Sequence, residues 1–317
     1  MPAISIVIPV RPGLEPLAIV GLAAVDVSPG DLEILVAEGE NPSCQRNEAV
    51  RQATGDIIYF LDDDSMVAHD CITRIKGYFS DETVVAVGGP SITPSHDSLL
   101  QQCIGAALQS PLGAGSVRNR YRSTGKLRDT TEKELILCNL AIRKDVFLSC
   151  GGFDERLYPN EENELLDRLA KSGGRILHDP ELRVERSQRP TLAAFARQMF
   201  RYGQGRGRQT RIAGIRGLAS FVPLGFVIYL CSLPFVSTTL WRIPLLTYCI
   251  LSLAASLHVA VSRKSLLYFL LLPALFLIIH IFNGLGLLAG FILPLKSKAC
   301  YIEQPVSVRR HEFSQDA

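Results

Sequence analysis

Apolar positions fall into two patterns along this chain: short runs broken by polar residues at first, then near-continuous apolar sequence from Gly217 onward. Ile4–Val10 and Leu32–Ala37 are apolar runs of strand length, broken only by Ser5 and Glu33, and Ile57–Leu61, β-branched and aromatic, is a third, entered from the turn pair Gly55-Asp56. Between them, residues from about Glu15 to Val25 have helix-like content. Cys44–Ala53 reads as a second helix, capped by Asn41-Pro42-Ser43. Strand, helix, strand, helix, strand predicts an α/β domain with a mainly parallel sheet and right-handed crossovers. Such sheets bind ligands beyond the carboxyl ends of their strands, where Pro9-Val10-Arg11, Glu38-Gly39 and Asp62-Asp63-Asp64 all fall.

Further on, Val84–Val87 reads as a strand ending in Gly88-Gly89-Pro90, a turn where backbone can approach a ligand closely. From about Ser110 to Lys133 the periodicity fades into a Gly-, Arg- and Ser-rich loop, a length that is usually functional or disordered. Leu135–Ile142 is a strand interrupted by Asn139, followed by a short helix and the turn Gly151-Gly152-Phe153-Asp154-Glu155. Leu165, Leu166 and Leu169 then mark one apolar face of a helix that opens on Glu161-Glu162-Asn163-Glu164. Its acidic start either complements the helix dipole or supplies a general base.

From Gly217 to Leu295 the only charges are Arg242, Arg263 and Lys264. That shift predicts a water-soluble domain over 1–211, ending in an amphipathic interfacial helix at about 191–211 and followed by membrane helices over 212–295. Spans are expected at about 218–240, 243–261 and 266–293, with a basic polar tail over 296–317. The N-terminal segment lacks the basic stretch and apolar run of a signal peptide, so the soluble domain is expected on the cytoplasmic side of the plasma (inner) membrane, in a multi-pass protein. Three full spans would place Lys296, Lys298, Arg309 and Arg310 outside, against the positive-inside rule. His280 and Asn283 are polar at membrane depth, suited to helix–helix hydrogen bonds or to lipid phosphate.

The formal charge of +2 gives no electrostatic case for nucleic acid. Eight cysteines occur without a Cys-x-x-Cys pair, which points to small buried hydrophobes rather than zinc or disulfides. There is no dinucleotide-binding glycine turn after the first strand and no P-loop. Adjacent carboxylates at Asp62, Asp63 and Asp64 need a nearby cation, and a hard ion such as Mg²⁺ or Mn²⁺ bound to phosphate oxygens answers that need. A solvated turn with one capping aspartate is the plainer alternative.

Several motifs in order resemble the family 2 glycosyltransferases of GT-A fold over about residues 1–210. They are Ser5–Val10, Arg46-Asn47-Glu48-Ala49, Ala53–Asp64, Gly151–Glu155 and Glu161–Leu165. The resemblance implies a metal-dependent, inverting hexosyl-type transferase using a nucleotide-diphosphate sugar. Asp62 and Asp64 match the metal-binding Asp-x-Asp, and Asp63 the nucleoside or sugar contact. Pro9, Glu38 and Arg46 match the region receiving base and ribose, with Glu38 in place of the usual Asp. Glu162 matches the catalytic base, with Glu161 a rival. Gln198-Met199-Phe200-Arg201-Tyr202 resembles the family's Gln-x-x-Arg-Trp, with Tyr202 for Trp. On a helix, Gln198 and Arg201 share a face, fit for a diphosphate. An Arg-rich helix lying on anionic lipid is the alternative there. The run from Arg197 to Arg206 is similar to membrane-attached transferases of succinoglycan-type exopolysaccharide synthesis, which implies a polyprenyl-linked or other lipid-linked acceptor.

Two competing expectations remain: a polyprenyl-phosphate monosaccharide synthase, which needs no base, and a non-catalytic scaffold or sugar-nucleotide sensor. Donor sugar, linkage and oligomeric state leave no readable mark in the sequence.

Overall fold

A computed structural model describes residues 3–26, 31–215, 217–295 and 305–311. The elements run β1 (Ile4–Val10), α1 (Ala18–Ala23), β2 (Leu32–Glu38), α2 (Pro42–Gln52), β3 (Ile57–Leu61), β4 (Met66–Val67), α3 (Cys71–Tyr78), β5 (Val84–Gly88) and β6 (Ser91–Ile92). Then come α4 (Leu99–Gln109), α5 (Pro111–Ala114), β7 (Arg128–Asp129), β8 (Asn139–Arg143), α6 (Lys144–Ser149), α7 (Glu161–Lys171), β9 (Arg175–His178) and β10 (Val184–Glu185). The chain ends with α8 (Leu192–Ala213), α9 (Val222–Ser232), α10 (Ile243–Ser262), α11 (Leu266–Ile292) and β11 (Ser307–His311). Two compact units result, and neither is continuous in sequence. One takes 1–92, 119–187 and 296–317; the other takes 93–118 and 188–295.

The first unit is a mixed α/β domain. Its large sheet has the order β11-β2-β1-β3-β8-β5-β9-β7, and β4-β10-β6 form a small second sheet. The β1–β2 and β1–β3 pairs are parallel, as the strand–helix alternation predicts, whereas β8 runs antiparallel between β3 and β5. Alternate residues of each central strand feed opposite faces: Ile57, Tyr59 and Leu61 join one buried cluster, Ile58 and Phe60 the other. Burial on both faces is why these strands read as nearly continuous apolar runs.

Two sequence expectations change here. Gly88-Gly89-Pro90 was expected to admit a ligand, but a Cβ on Gly89 would meet the Asp179 carbonyl oxygen at 2.6 Å, so the chain's own backbone fills that approach. Asn139 does not interrupt a strand but begins one. It is fully buried, accepting from Tyr59 Oη at 2.7 Å and donating to the Leu182 carbonyl at 2.5 Å. Within the span expected to be a loop, α5 and a 3-10 turn at Gly115–Arg120 take up part of the sequence.

Residues 305–311, read from sequence as polar tail, include β11, which pairs antiparallel with β2. Val306 and Val308 pack on the core, and Arg310 Nε meets Glu33 at 2.9 Å. Lys296 and Lys298 lie outside the described residues.

The second unit is helical. α10 with its preceding turn, and α11, are long and apolar enough to cross a membrane by length and composition. The segment expected as a first span is helical only to Ser232, 15 apolar residues from Leu218 with the preceding turn. At 1.5 Å per residue that is roughly 22 Å, short of a bilayer core of about 30 Å. Pro234 lacks the N–H that would continue the helix by donating to the Leu230 carbonyl.

α8 occupies the stretch expected to be an interfacial helix, and its glycines explain themselves on α11. A Cβ on Gly207 would meet Leu287 O at 2.6 Å and Gly290 Cα at 2.9 Å, and one on Gly286 would meet Gln204 N at 3.0 Å. Glycines four apart on each helix let the two backbones touch. His280 Nδ1 and Tyr248 Oη lie 3.0 Å apart, joining α10 to α11.

Candidate active site

Strand order β2-β1-β3 aligns the carboxyl ends of three parallel strands, so Glu38 and Asp62 emerge on the same side of the sheet. The Asp62 amide donates to Ser65 Oγ at 3.2 Å, which shapes the turn carrying the three aspartates. Asp62 is bridged on both oxygens: Arg46 Nη2 lies 2.8 Å from Oδ1, and Arg186 Nη1 lies 3.0 Å from Oδ2. The Nε of Arg186 also sits 2.6 Å from Asp64 Oδ1. Burial first, then the charges of Asp64 and Asp62, push the Asp63 carboxyl above its usual range, against the pull of Arg186.

Arg46 carries the cluster across to α7. Its side chain is only 4% exposed, and its Nη1 meets Glu161 Oε1 at 3.0 Å. Beside it, Asn47 accepts from the Phe153 amide at 2.9 Å and donates to the Phe153 carbonyl at 2.9 Å, fixing the Gly151–Glu155 turn. Adjacent residues of α2 thus hold the site and the turn that leads to α7. Gly152, at φ +70°, supplies the left-handed conformation this turn needs.

α7 begins at Asn160, itself left-handed at φ 86°, and presents its first carboxylates inward. Glu161 is 2% exposed, and burial, then Glu162, push its carboxyl upward against the pull of Arg46. Its Oε2 is buried with no hydrogen-bond partner among the described residues. Glu162 lies nearer the surface, its Oε1 3.5 Å from Arg120 Nη1 and accepting from Asn163 Nδ2 at 3.1 Å. Arg120 is held by the Lys133 carbonyl at 3.0 Å, and by Glu132 and Asn163. Glu164 belongs to the scaffold: Arg168 grips it at 2.7 Å and reaches the Gly152 carbonyl at 2.6 Å. In all, five carboxyl groups, Asp62, Asp63, Asp64, Glu161 and Glu162, face three guanidinium groups, Arg46, Arg120 and Arg186.

The family model described as "Glycosyl transferase family group 2" matches residues 57–293. The chain belongs to that family. Among curated relatives, succinoglycan biosynthesis protein ExoA of Rhizobium meliloti (strain 1021) is 25% identical over 227 residues, covering 62% of this chain and 67% of ExoA. Pre-mycofactocin glycosyltransferase of Mycobacterium tuberculosis is 26% identical over 174 residues, covering 55% of this chain and 36% of that protein, so the match spans about a third of that relative's length. Mannosyltransferase PcManGT from Pyrobaculum calidifontis, solved with GDP-Man and Mn²⁺, matches at a TM-score of 0.57 and 15% identity, covering 92% of this chain and 87% of that one. The first unit therefore has the GT-A fold, as the motifs implied.

In this family group 2 transferase the remaining expected residues lie as follows. Pro9 is buried in β1, opposite Ala37. Glu38 ends β2, and its Oε1 accepts from the Gly13 amide at 2.5 Å. Gln198, Arg201 and Tyr202 sit on α8 of the helical unit, where Gln198 Nε2 donates to Tyr202 Oη at 2.9 Å. Arg201 is exposed and has no ion pair among the described residues. No cluster of three or more His, Cys, Asp or Glu side chains fit to hold a metal occurs among the described residues. Asp62 and Asp64 nevertheless suit a hard divalent ion, which takes one or two carboxylates and completes its shell with phosphate oxygens and water. Sequence reading did not find Arg186 or Arg120, because neither falls within a motif.

Proposed function

We propose that this protein is an inverting glycosyltransferase that moves a sugar from a nucleotide-diphosphate donor to a lipid-linked glycan acceptor in surface polysaccharide synthesis. The observation that carries the reading is one connected cluster: the Asp62–Asp64 carboxylates at the end of β3 are tied through Arg46 to Glu161, directly beside Glu162. A divalent cation held by Asp62 and Asp64 supplies neutralisation of the charge on the departing diphosphate. Glu162, the more exposed of the two glutamates, accepts the proton of the acceptor hydroxyl. The freed oxygen bonds to the anomeric carbon as the bond to the diphosphate breaks on the opposite face, and the electron pair leaves with the phosphate oxygen. Glu161, buried against Arg46, positions the start of α7 rather than exchanging protons with substrate.

The lipid-linked acceptor is supported by the apolar helical unit, and the role in polysaccharide synthesis by the similarity to a succinoglycan biosynthesis protein. The pairing of β11 with β2 supports a return of the chain to the sheet after α11, hence an even number of membrane crossings. An even number removes the conflict between Arg309–Arg310 and the positive-inside rule.

The test uses the full chain in detergent, Mn²⁺ or Mg²⁺, a panel of radiolabelled sugar nucleotides and lipid extract. Glu162→Gln is expected to lower transfer by about 10²–10⁴-fold while donor binding persists. A fully active variant overturns the base assignment, and if it is active on polyprenyl phosphate alone the lipid phosphate is the nucleophile.

A further inference from the structure

Arg186 stands where a metal would be expected to stand. Its Nε and Nη1 span Asp64 Oδ1 and Asp62 Oδ2 at 2.6 and 3.0 Å, so one guanidinium edge joins the first and third aspartates. The backbone beneath is fixed. β10 pairs with β4, which begins two residues after Asp64, and with β6; the Arg186 amide donates to the Ile92 carbonyl at 2.9 Å. The small three-stranded sheet thus ties Arg186 to the aspartate turn, while the side chain remains 19% exposed and hinged on its own rotatable bonds.

Two charge arguments follow. Three neighbouring carboxylates without a cation would repel one another, and a guanidinium, charged at every physiological pH, compensates them without proton exchange. A divalent ion held by the same two carboxylates would set its charge against this guanidinium's, so the two cations compete there. Arg46 is different: it is 4% exposed, bound to Asp62 on one side and Glu161 on the other, and has no exit.

We propose that Arg186 is a displaceable counter-cation of the Asp62–Asp64 pair, which yields those oxygens when the metal and donor bind and turns its planar fork onto the donor's diphosphate. The aspartates are thereby kept compensated before the donor arrives. Guanidinium and phosphate match in geometry, so the same group stabilises the leaving diphosphate. This inference rests on the reading of Asp62 and Asp64 as metal ligands.

The experiment measures Mn²⁺ binding to the full chain in detergent, by electron paramagnetic resonance of free Mn²⁺ with and without nucleoside diphosphate, alongside donor KM and kcat. Arg186→Gln is expected to bind Mn²⁺ about tenfold more tightly than wild type without nucleotide, because a charge-assisted competitor is gone. The same variant is expected to show a raised donor KM and a reduced kcat. Arg186→Lys, which keeps the charge but loses the fork, should retain weak Mn²⁺ binding yet fail to restore kcat. Unchanged or weaker Mn²⁺ binding in Arg186→Gln overturns the counter-cation role. Tighter Mn²⁺ binding with unaltered kcat and KM overturns the diphosphate role. If wild type takes up no Mn²⁺ even with nucleotide, the metal reading itself fails, whatever the variants do.

Discussion

Replacing Gly207 with alanine tests whether the α8–α11 contact is a backbone contact. The new Cβ would sit 2.6 Å from Leu287 O and 2.9 Å from Gly290 Cα, where ordinary contact begins near 3.4 Å. Both obstacles are backbone, so no side chain can rotate away, and the helices must part by several tenths of an ångström. Overpacking of this kind costs about 1–3 kcal/mol, here towards the upper end. Alanine also regains about 1 kcal/mol of helix propensity, leaving a net loss of about 1–2 kcal/mol. For a domain of this size that lowers Tm by roughly 2–8 °C. Gly225, in α9 with nothing within 4 Å of its would-be Cβ, is the control. Gly225→Ala gains the same propensity without the clash. Thermal unfolding in detergent, followed by circular dichroism, should rank Gly225→Ala at or above wild type and Gly207→Ala below it. If the two variants melt together, α8 and α11 are not in backbone contact, and the glycines need another explanation.

Glu134 predicts a pH dependence. Burial works upward on its carboxyl, but bonds from Arg128, Thr130 and Asn119 outweigh it and hold it at about 2. A depressed carboxylate gives stability that is complete above its usual 4.5 and is lost as pH falls from there towards about 2. Urea midpoints measured across that window should fall with pH in wild type and change less in Glu134→Gln; equal slopes would remove Glu134 as the cause. For topology, an epitope appended after Ala317 should be shielded from external protease in intact cells, on the same side as an N-terminal epitope. Cleavage of the C-terminal epitope alone would mean that β11 does not pair with β2 in the membrane-bound protein.

The parts of the fold legible in the sequence are those decided locally. β1, β2 and β3 are largely buried on both faces, so their runs are nearly all apolar, and the observed strands follow the expected boundaries within a residue or so. α8 begins one residue after its Thr191 cap, close to the expected start. What was not legible depends on distant partners. Asn139 reads as a break in a strand because its hydrogen bonds go to Tyr59 and Leu182, remote in sequence. The glycines of α8 have no local reason in a helix, and one appears only when the glycines of α11 lie opposite. β11 is short, polar and flanked by charges, and becomes a strand only because the edge of β2 offers it a ladder.

The candidate site divides along the same line, for an electrostatic reason. Its acidic half is contiguous: Asp62-Asp63-Asp64 follows β3, and Glu161-Glu162 opens α7, so each cluster stands out in the sequence. Its basic half is dispersed, with Arg46 on α2, Arg120 at the end of a 3-10 turn and Arg186 after β10. Arg186 reaches Asp64 across 122 residues, and no local spacing announces such a pair. Under the proposed function, a site that takes a dianionic diphosphate through a cation has to remain slightly acidic when empty and rearrange its charges when filled. Packed carboxylates on short turns meet the first need. Arginines brought from separate elements meet the second, because each is anchored by a different backbone: Arg46 is 4% exposed between Asp62 and Glu161, whereas Arg186, paired with Asp62 and Asp64, is 19% exposed.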